Sequence, residues 1–92
     1  MDYENEYNSI KEYKYICDEL KNRRLALKKS QEDVAFDLGF TAGHLSRIEN
    51  GKKLSTSLKT FLILSNYYDL DFGTLVKKAN AKMKIDECNF DE

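Results

Sequence analysis

The chain contains no proline and only four glycines in 92 residues. Proline and glycine interrupt regular structure more strongly than other residues, so a chain this poor in both is expected to be all helical. The glycines stand at 39, 43, 51 and 73, and three of them punctuate helical segments. Ninety-two residues make one domain with little to spare. A hydrophobic share of 41% is enough for a small core and argues against disorder. The longest apolar run, 61–64, falls far short of the about 20 residues of a membrane span and the roughly 7–15 of a signal-peptide core. Cys17 and Cys88 lie far apart in no CxxC or Cys/His cluster, which excludes a disulfide scaffold and a zinc finger and fits a reducing compartment. His44 is the single histidine, so neither a metal site nor a cofactor is expected.

Formal net charge is −1, but the charge is uneven. Residues 1–19 hold two lysines against six acids, 20–62 hold nine Lys/Arg against four acids, and 63–92 hold four lysines against six acids. A basic middle between acidic ends suits a polyanion-binding face, and equally suits an ordinary solvated helix surface. The sequence pI of about 5.9 is low for a nucleic-acid binder, for which a value above roughly 9 is the strong signal.

Helical spacing recurs at Ile10, Tyr13, Ile16, Cys17, Leu20 and Leu27. Ser9 and Glu12 read as a capping box that starts this first helix, and Lys28 and Lys29 favour its end. Ser30 opens a second helix with Val34, Ala35 and Leu38 inside and Gly39 as its left-handed stop. Phe40 is a buried connector, Thr41 caps a third helix over 42–49, and Gly51 closes it. A polar loop at 52–56 leads to a fourth helix at about 57–68, with Leu58, Phe61, Leu62, Leu64, Ser65 and Tyr68 on or near its inner side. Asp71 caps a short fifth helix with Phe72, Leu75 and Val76 inside, and the pattern fades from Ala79 onward, where fraying is the default and a short strand around Met83 and Ile85 the alternative.

Two short helices separated only by Gly39, Phe40 and Thr41 suggest a helix-turn-helix, whose second helix enters the DNA major groove. A step of about 100° per residue places Ile48 and Glu49 on the side of Leu45, and Gly43 and Arg47 opposite it. Ala42, His44 and Ser46 flank the outward pair, giving a small, polar, basic face with no acid at its centre. Arg47 can donate two hydrogen bonds to guanine, His44 and Ser46 can reach base edges or phosphate, and Ala42 can touch a thymine methyl. Gly43 permits only close approach, so readout by DNA shape is also in play. The same residue types also suit a plain solvated face. Glu49 falls on the buried side, where an unpaired carboxylate is costly, and Arg24 on the first helix is the best partner for it.

These residues carry a resemblance. Leu20 to Arg24, "SQEDVAFDLG" at 30–39, "FTAGHLSRIENGKK" at 40–53 and "SLKTFLILSNYYDLDFGTLV" at 57–76 are similar to the Cro/repressor (XRE) helix-turn-helix domains of phage repressors and bacterial regulators. The resemblance implies a compact five-helix, lambda-repressor-like all-α domain with the helix-turn-helix at about 30–50. It implies base contacts from Ala42, Gly43 and Arg47 with His44 and Ser46 beside them, and phosphate contacts from Gln31, Thr41, Asn50, Lys52 and Lys53. Gln31 would also brace the reading helix, and the family's Arg/Glu pair falls on Arg24 and Glu49. Where the family often has Gly-hydrophobic before Ser-Gln, this chain has Lys28 and Lys29, two added cations near the DNA side. The loop after Gly51 has no proline and runs a residue longer than is usual.

The expected organisation is an extension of helix one at 1–15, a DNA-binding domain at 16–78 and a tail at 79–92. The expected function is sequence-specific binding of double-stranded DNA as a transcriptional regulator, a repressor for preference, in the cytoplasm at the nucleoid. One such domain makes a modest interface, so a homodimer is expected, with Tyr67, Tyr68, Phe72 and Val76 or the Tyr-rich start (Tyr3, Tyr7) as partner surface. The alternative is a protein-interaction module using the acidic termini, or an antitoxin whose DNA binding serves autoregulation. An enzyme is not expected: His44 has no nearby Cys nucleophile, and there is no P-loop or dinucleotide fingerprint.

Overall fold

A computed structural model of the chain describes residues 3–90. Five helices follow one another: α1 (Tyr3–Ala26), α2 (Gln31–Leu38), α3 (Ala42–Glu49), α4 (Leu58–Tyr67) and α5 (Phe72–Phe90). The local stop and start signals set the middle of the chain. Ser30, Thr41 and Ser57 each sit in extended backbone and accept a hydrogen bond from the backbone N–H three residues on, which satisfies one of the free donors at a helix start. Asp71 does the same for α5, accepting from the Thr74 N–H and hydroxyl at 2.9 Å each, and these bonds hold its carboxyl below the usual range.

Three helices end alike. After α2, Gly39 takes left-handed backbone (φ 73°) and Phe40 N–H reaches back to the Ala35 carbonyl at 2.8 Å. After α4, Asp69 (φ 56°) plays the part of the glycine and Leu70 N–H donates to Ser65. After α1, Lys28 (φ 58°) does so and Lys29 N–H donates to Arg24. A strained lysine thus makes the turn where the resemblance leads one to expect a glycine, and α1 ends at Ala26 rather than at Lys28 and Lys29.

Both long helices exceed their expected bounds. α1 begins at Tyr3, six residues before Ser9, and Ser9 does not cap it: its hydroxyl donates to the Asn5 carbonyl one turn back. α5 runs unbroken through 79–90, where the sequence pattern predicts a frayed tail. The reason lies across the molecule. α1 and α5 lie antiparallel and make the most extensive helix contact in the fold. Lys11 pairs with Glu87 at 2.9 Å, Tyr15 donates to Asp86, and buried Glu19 lies between Lys78 and Lys82. Ala79 is fully buried between residues that alone carry little apolar signal.

Cys17, Leu20, Val34, Leu45, Ile48, Phe61, Leu64, Tyr68 and Leu75 form one core, to which every helix contributes. Tyr68 is 1% exposed, so it belongs to this core and leaves the candidate partner surface. Leu58 and Leu62 face outward at 61% and 41% exposure, as does Leu27, contrary to their apolar spacing. Phe40 is only half-buried. The Tyr3 side chain lies outside the described residues, as do residues 91 and 92 of the expected tail.

Candidate nucleic-acid interface

α3 has only eight residues, and an isolated helix shorter than about 12–15 residues is marginal in water. Its place is therefore set by what it buries. Leu45 and Ile48 are fully enclosed, each worth about 1.5–3 kcal/mol of transfer free energy. The third inward residue is Glu49, at 4% exposure. Arg24 grips it with two hydrogen bonds, Nε to Oε2 at 2.7 Å and Nη2 to Oε1 at 3.0 Å. Arg24 Nη1 also donates to the Lys29 carbonyl, and Gln31 Nε2 donates to Glu49 Oε1. One guanidinium thus joins α1, the lead-in to α2 and the end of α3. Glu49 raises the Arg24 pKa further, so the guanidinium stays charged.

With that side fixed, the opposite face is open. Gly43 and Arg47 are exposed, and Ala42, His44 and Ser46 beside them are half-buried. His44 stacks edge-on against Phe40, centroids 5.1 Å apart. Burial, then the cations of Lys53 and Arg47, lower its pKa, so the imidazole is neutral at pH 7. Lys53 N–H lies 3.4 Å from the Arg47 carbonyl, so the start of the loop lies against the last turn of α3.

The expected phosphate residues are distributed around this face. Thr41 Oγ1 is occupied in capping α3 through His44 N–H, and its own position is exposed. Asn50 Oδ1 accepts from Lys52 N–H at 3.1 Å, while the Lys52 side chain is exposed and Lys53 half-buried. Lys28 is exposed. Lys29 is held elsewhere: its ammonium lies 5.3 Å from the Tyr67 ring centre, and Tyr67 in turn donates to Asp37 at 2.6 Å.

Sequence reasoning places Tyr13 in the core and misses its hydroxyl, which donates to the Lys53 carbonyl in the loop after α3. A phenol on the otherwise apolar side of α1 is the available signal, because a buried Tyr hydroxyl needs a partner. Gly51 is also pressed onto α1. It is buried in left-handed backbone (φ 72°), and a Cβ there would meet Lys14 Cγ at 2.9 Å.

Burial pushes the Cys17 thiol up to about 11, as expected of a core residue. Among the described residues no group of three or more His, Cys, Asp or Glu is placed to hold a metal ion, and no helix is long and apolar enough to cross a membrane.

Compared with known proteins, residues 20–75 match the sequence model of a family described as helix-turn-helix. That span takes in α2, α3 and α4 whole, the second part of α1 and the start of α5. No curated protein matches the chain.

Proposed function

The chain belongs to the Cro/repressor (XRE) helix-turn-helix family of DNA-binding transcription regulators, and from that premise we propose that it reads one duplex sequence with α3 in the major groove and represses transcription there. The observation that carries this reading is the exposed Arg47 on an acid-free face whose reverse side is locked by the Arg24–Glu49 pair. A helix held at a fixed tilt presents a guanidinium at a defined depth, and the bidentate geometry then selects guanine.

In this reading Arg47 is the main base contact. His44 and Ser46 add hydrogen bonds, Ala42 meets a thymine methyl, and Gly43 lets the backbone come close. Gln31 uses one amide hydrogen on Glu49 and has a second for a phosphate. Thr41, Asn50, Lys52, Lys53 and Lys28 supply position and charge without sequence information. Lys29 contributes least, being engaged with Tyr67. Two copies bind half-sites about one helical turn, roughly 34–36 Å, apart, in the cytoplasm at the nucleoid.

The test begins with a duplex selected from a random pool and its dissociation constant across a salt series. The expected log–log slope is about −0.9 for each phosphate neutralised. Arg47→Ala should lose about 1–3 kcal/mol at one base position and relax preference there. A slope near zero removes the DNA reading, and equal loss on every sequence removes Arg47 from base readout. Sedimentation of the complex on that duplex should give two chains, and one chain at saturation refutes the dimer.

A further inference from the structure

We propose that Tyr13 is a positioning residue for DNA-backbone contact: its hydroxyl, by holding the Lys53 carbonyl, fixes the loop after α3 in the shape that presents the Lys53 ammonium beside the reading helix. This rests on the DNA-binding reading and adds to it a residue of α1 that lies outside the matched span of 20–75.

The loop needs such a hold. Residues 50–57 carry no helix and no proline between α3 and α4. Asn50 and Gly51 N–H still donate to the last turn of α3, at 3.1 Å each, but Lys53 N–H reaches the Arg47 carbonyl only at 3.4 Å. The Lys53 carbonyl then accepts from two hydroxyls: Thr56, three residues on, at 3.3 Å, and Tyr13, forty positions earlier. The first bond is local and moves with the loop. The second ties it to the body of the protein.

Tyr13 is itself held. Its ring meets Phe61 edge-on at 5.6 Å, and Phe61 belongs to the core. Burial raises the phenol pKa, so the group remains a donor. The neighbouring residue Lys14 packs on Gly51, so consecutive residues of α1 touch the loop at both 51 and 53. The consequence reaches α3 because Lys53 N–H lies 3.4 Å from the Arg47 carbonyl, which sets the loop residue against the last turn of the helix, and the Lys53 cation also lowers the His44 pKa. Where the loop goes, that charge goes. A contact whose geometry is set before binding costs less ordering entropy when the ligand arrives, which is how a group that touches no DNA alters affinity.

The experiment uses the full chain and a fluorescently labelled random-sequence duplex, which reports backbone contact alone. Tyr13→Phe keeps the ring on Phe61 and removes only the hydroxyl. It should weaken binding about three- to tenfold, the range of one hydrogen bond, and make the salt slope shallower. Lys53→Ala should reduce the slope by about 0.9. In the Lys53→Ala background, Tyr13→Phe should then have little further effect, because both changes act on the same contact. Amide exchange should quicken over 52–56 and stay unchanged in α4. An unaltered slope in Tyr13→Phe, or an equal loss with and without Lys53, overturns the proposal. If Tyr13→Phe melts too low for binding to be measured, the wild-type chain decides in its place: amides at 52–56 that exchange as fast as those of a free peptide show an unheld loop and overturn the proposal. A wild-type chain with no salt-dependent binding refutes the DNA reading itself, a different result from any of these.

Discussion

Arg24 ties the end of α3 to α1 and to the lead-in to α2. It is 6% exposed, and its guanidinium spends its donors on Glu49 and the Lys29 carbonyl. A buried ion pair adds little stability over a well-packed apolar pair, but removing one partner strands the other charge at a cost of about 3–5 kcal/mol. A domain of this size has about 5–14 kcal/mol in total. Glu49→Ala should therefore leave a barely folded chain in urea titration, while Arg24→Met with Glu49→Leu should lose less than Glu49→Ala alone. If the double variant is the worse of the two, stranded charge is not the cause. His44 gives a second prediction at this scale. Its folded pKa lies below the ordinary 6.5, so the unfolded chain binds a proton first, and stability is lost as pH falls through about 6.5. If DNA places phosphates beside Lys53 and Arg47, as proposed, they offset the cations that depress it. The complex then takes up a proton, and affinity should rise from pH 7.5 to 5.5 by more in the wild type than in His44→Gln. Equal pH slopes for the two chains would exclude His44.

At the scale of elements, the legible parts are those whose signals are local. α2 and α3 are readable from Ser30, Gly39, Thr41 and Gly51, because a cap and a left-handed stop act within four residues of themselves. The wheel of α3 is readable for the same reason, since an eight-residue helix leaves no room for a bend to shift its faces. Arg24 and Glu49 are legible because a buried carboxylate demands a cation. The ends of α1 and α5 are not, because their lengths depend on pairings over seventy residues apart, such as Lys11 with Glu87. Tyr13 escapes notice likewise, its partner being a backbone carbonyl that no residue pattern announces. The turn after α1 supplies a prediction that separates shape from charge. Lys28 in left-handed backbone costs about 1–2 kcal/mol, and glycine there returns that while giving back about 0.4–1 kcal/mol in unfolded-chain entropy. Lys28→Gly should thus raise stability by about 0.5–1 kcal/mol in thermal unfolding, yet flatten the salt slope of DNA binding if its ammonium meets phosphate. A destabilised Lys28→Gly would mean that the side chain, not the backbone, holds this turn.

The whole molecule divides into a basic end, the proposed reading end, and a stem. The basic middle of the chain carries α2, α3 and the loop to α4, while the acidic ends come together where the start of α1 meets the last turns of α5. This arrangement turns a chain of net charge −1 into one with separated poles, and the pole bearing Arg47, Lys52 and Lys53 is the one that polyanions attract. On the proposal made for Tyr13, the stem also supports the reading end. The first half of α1 is polar and too short to stay helical unaided, so its order comes from α5. Tyr13 stands in that half, and through Lys53 it reaches the loop. Deleting residues 84–92 removes Asp86 and Glu87 but leaves buried Ala79 and the Glu19–Lys82 pair. Among the described residues the deletion thus breaks surface pairs, each worth about 0–1 kcal/mol. The core should therefore survive with a melting temperature lower by about 4–8 °C, the equivalent of roughly 1 kcal/mol in a domain this small. Amide exchange should quicken at 4–15 and, through Tyr13, at 52–56, while Leu45 and Leu64 keep their protection. Unchanged exchange at 4–15 would mean that α1 holds itself. Fast exchange at 4–15 with an undisturbed loop would mean that the stem and the reading end are mechanically separate, and that α5 extends for a purpose unconnected with DNA.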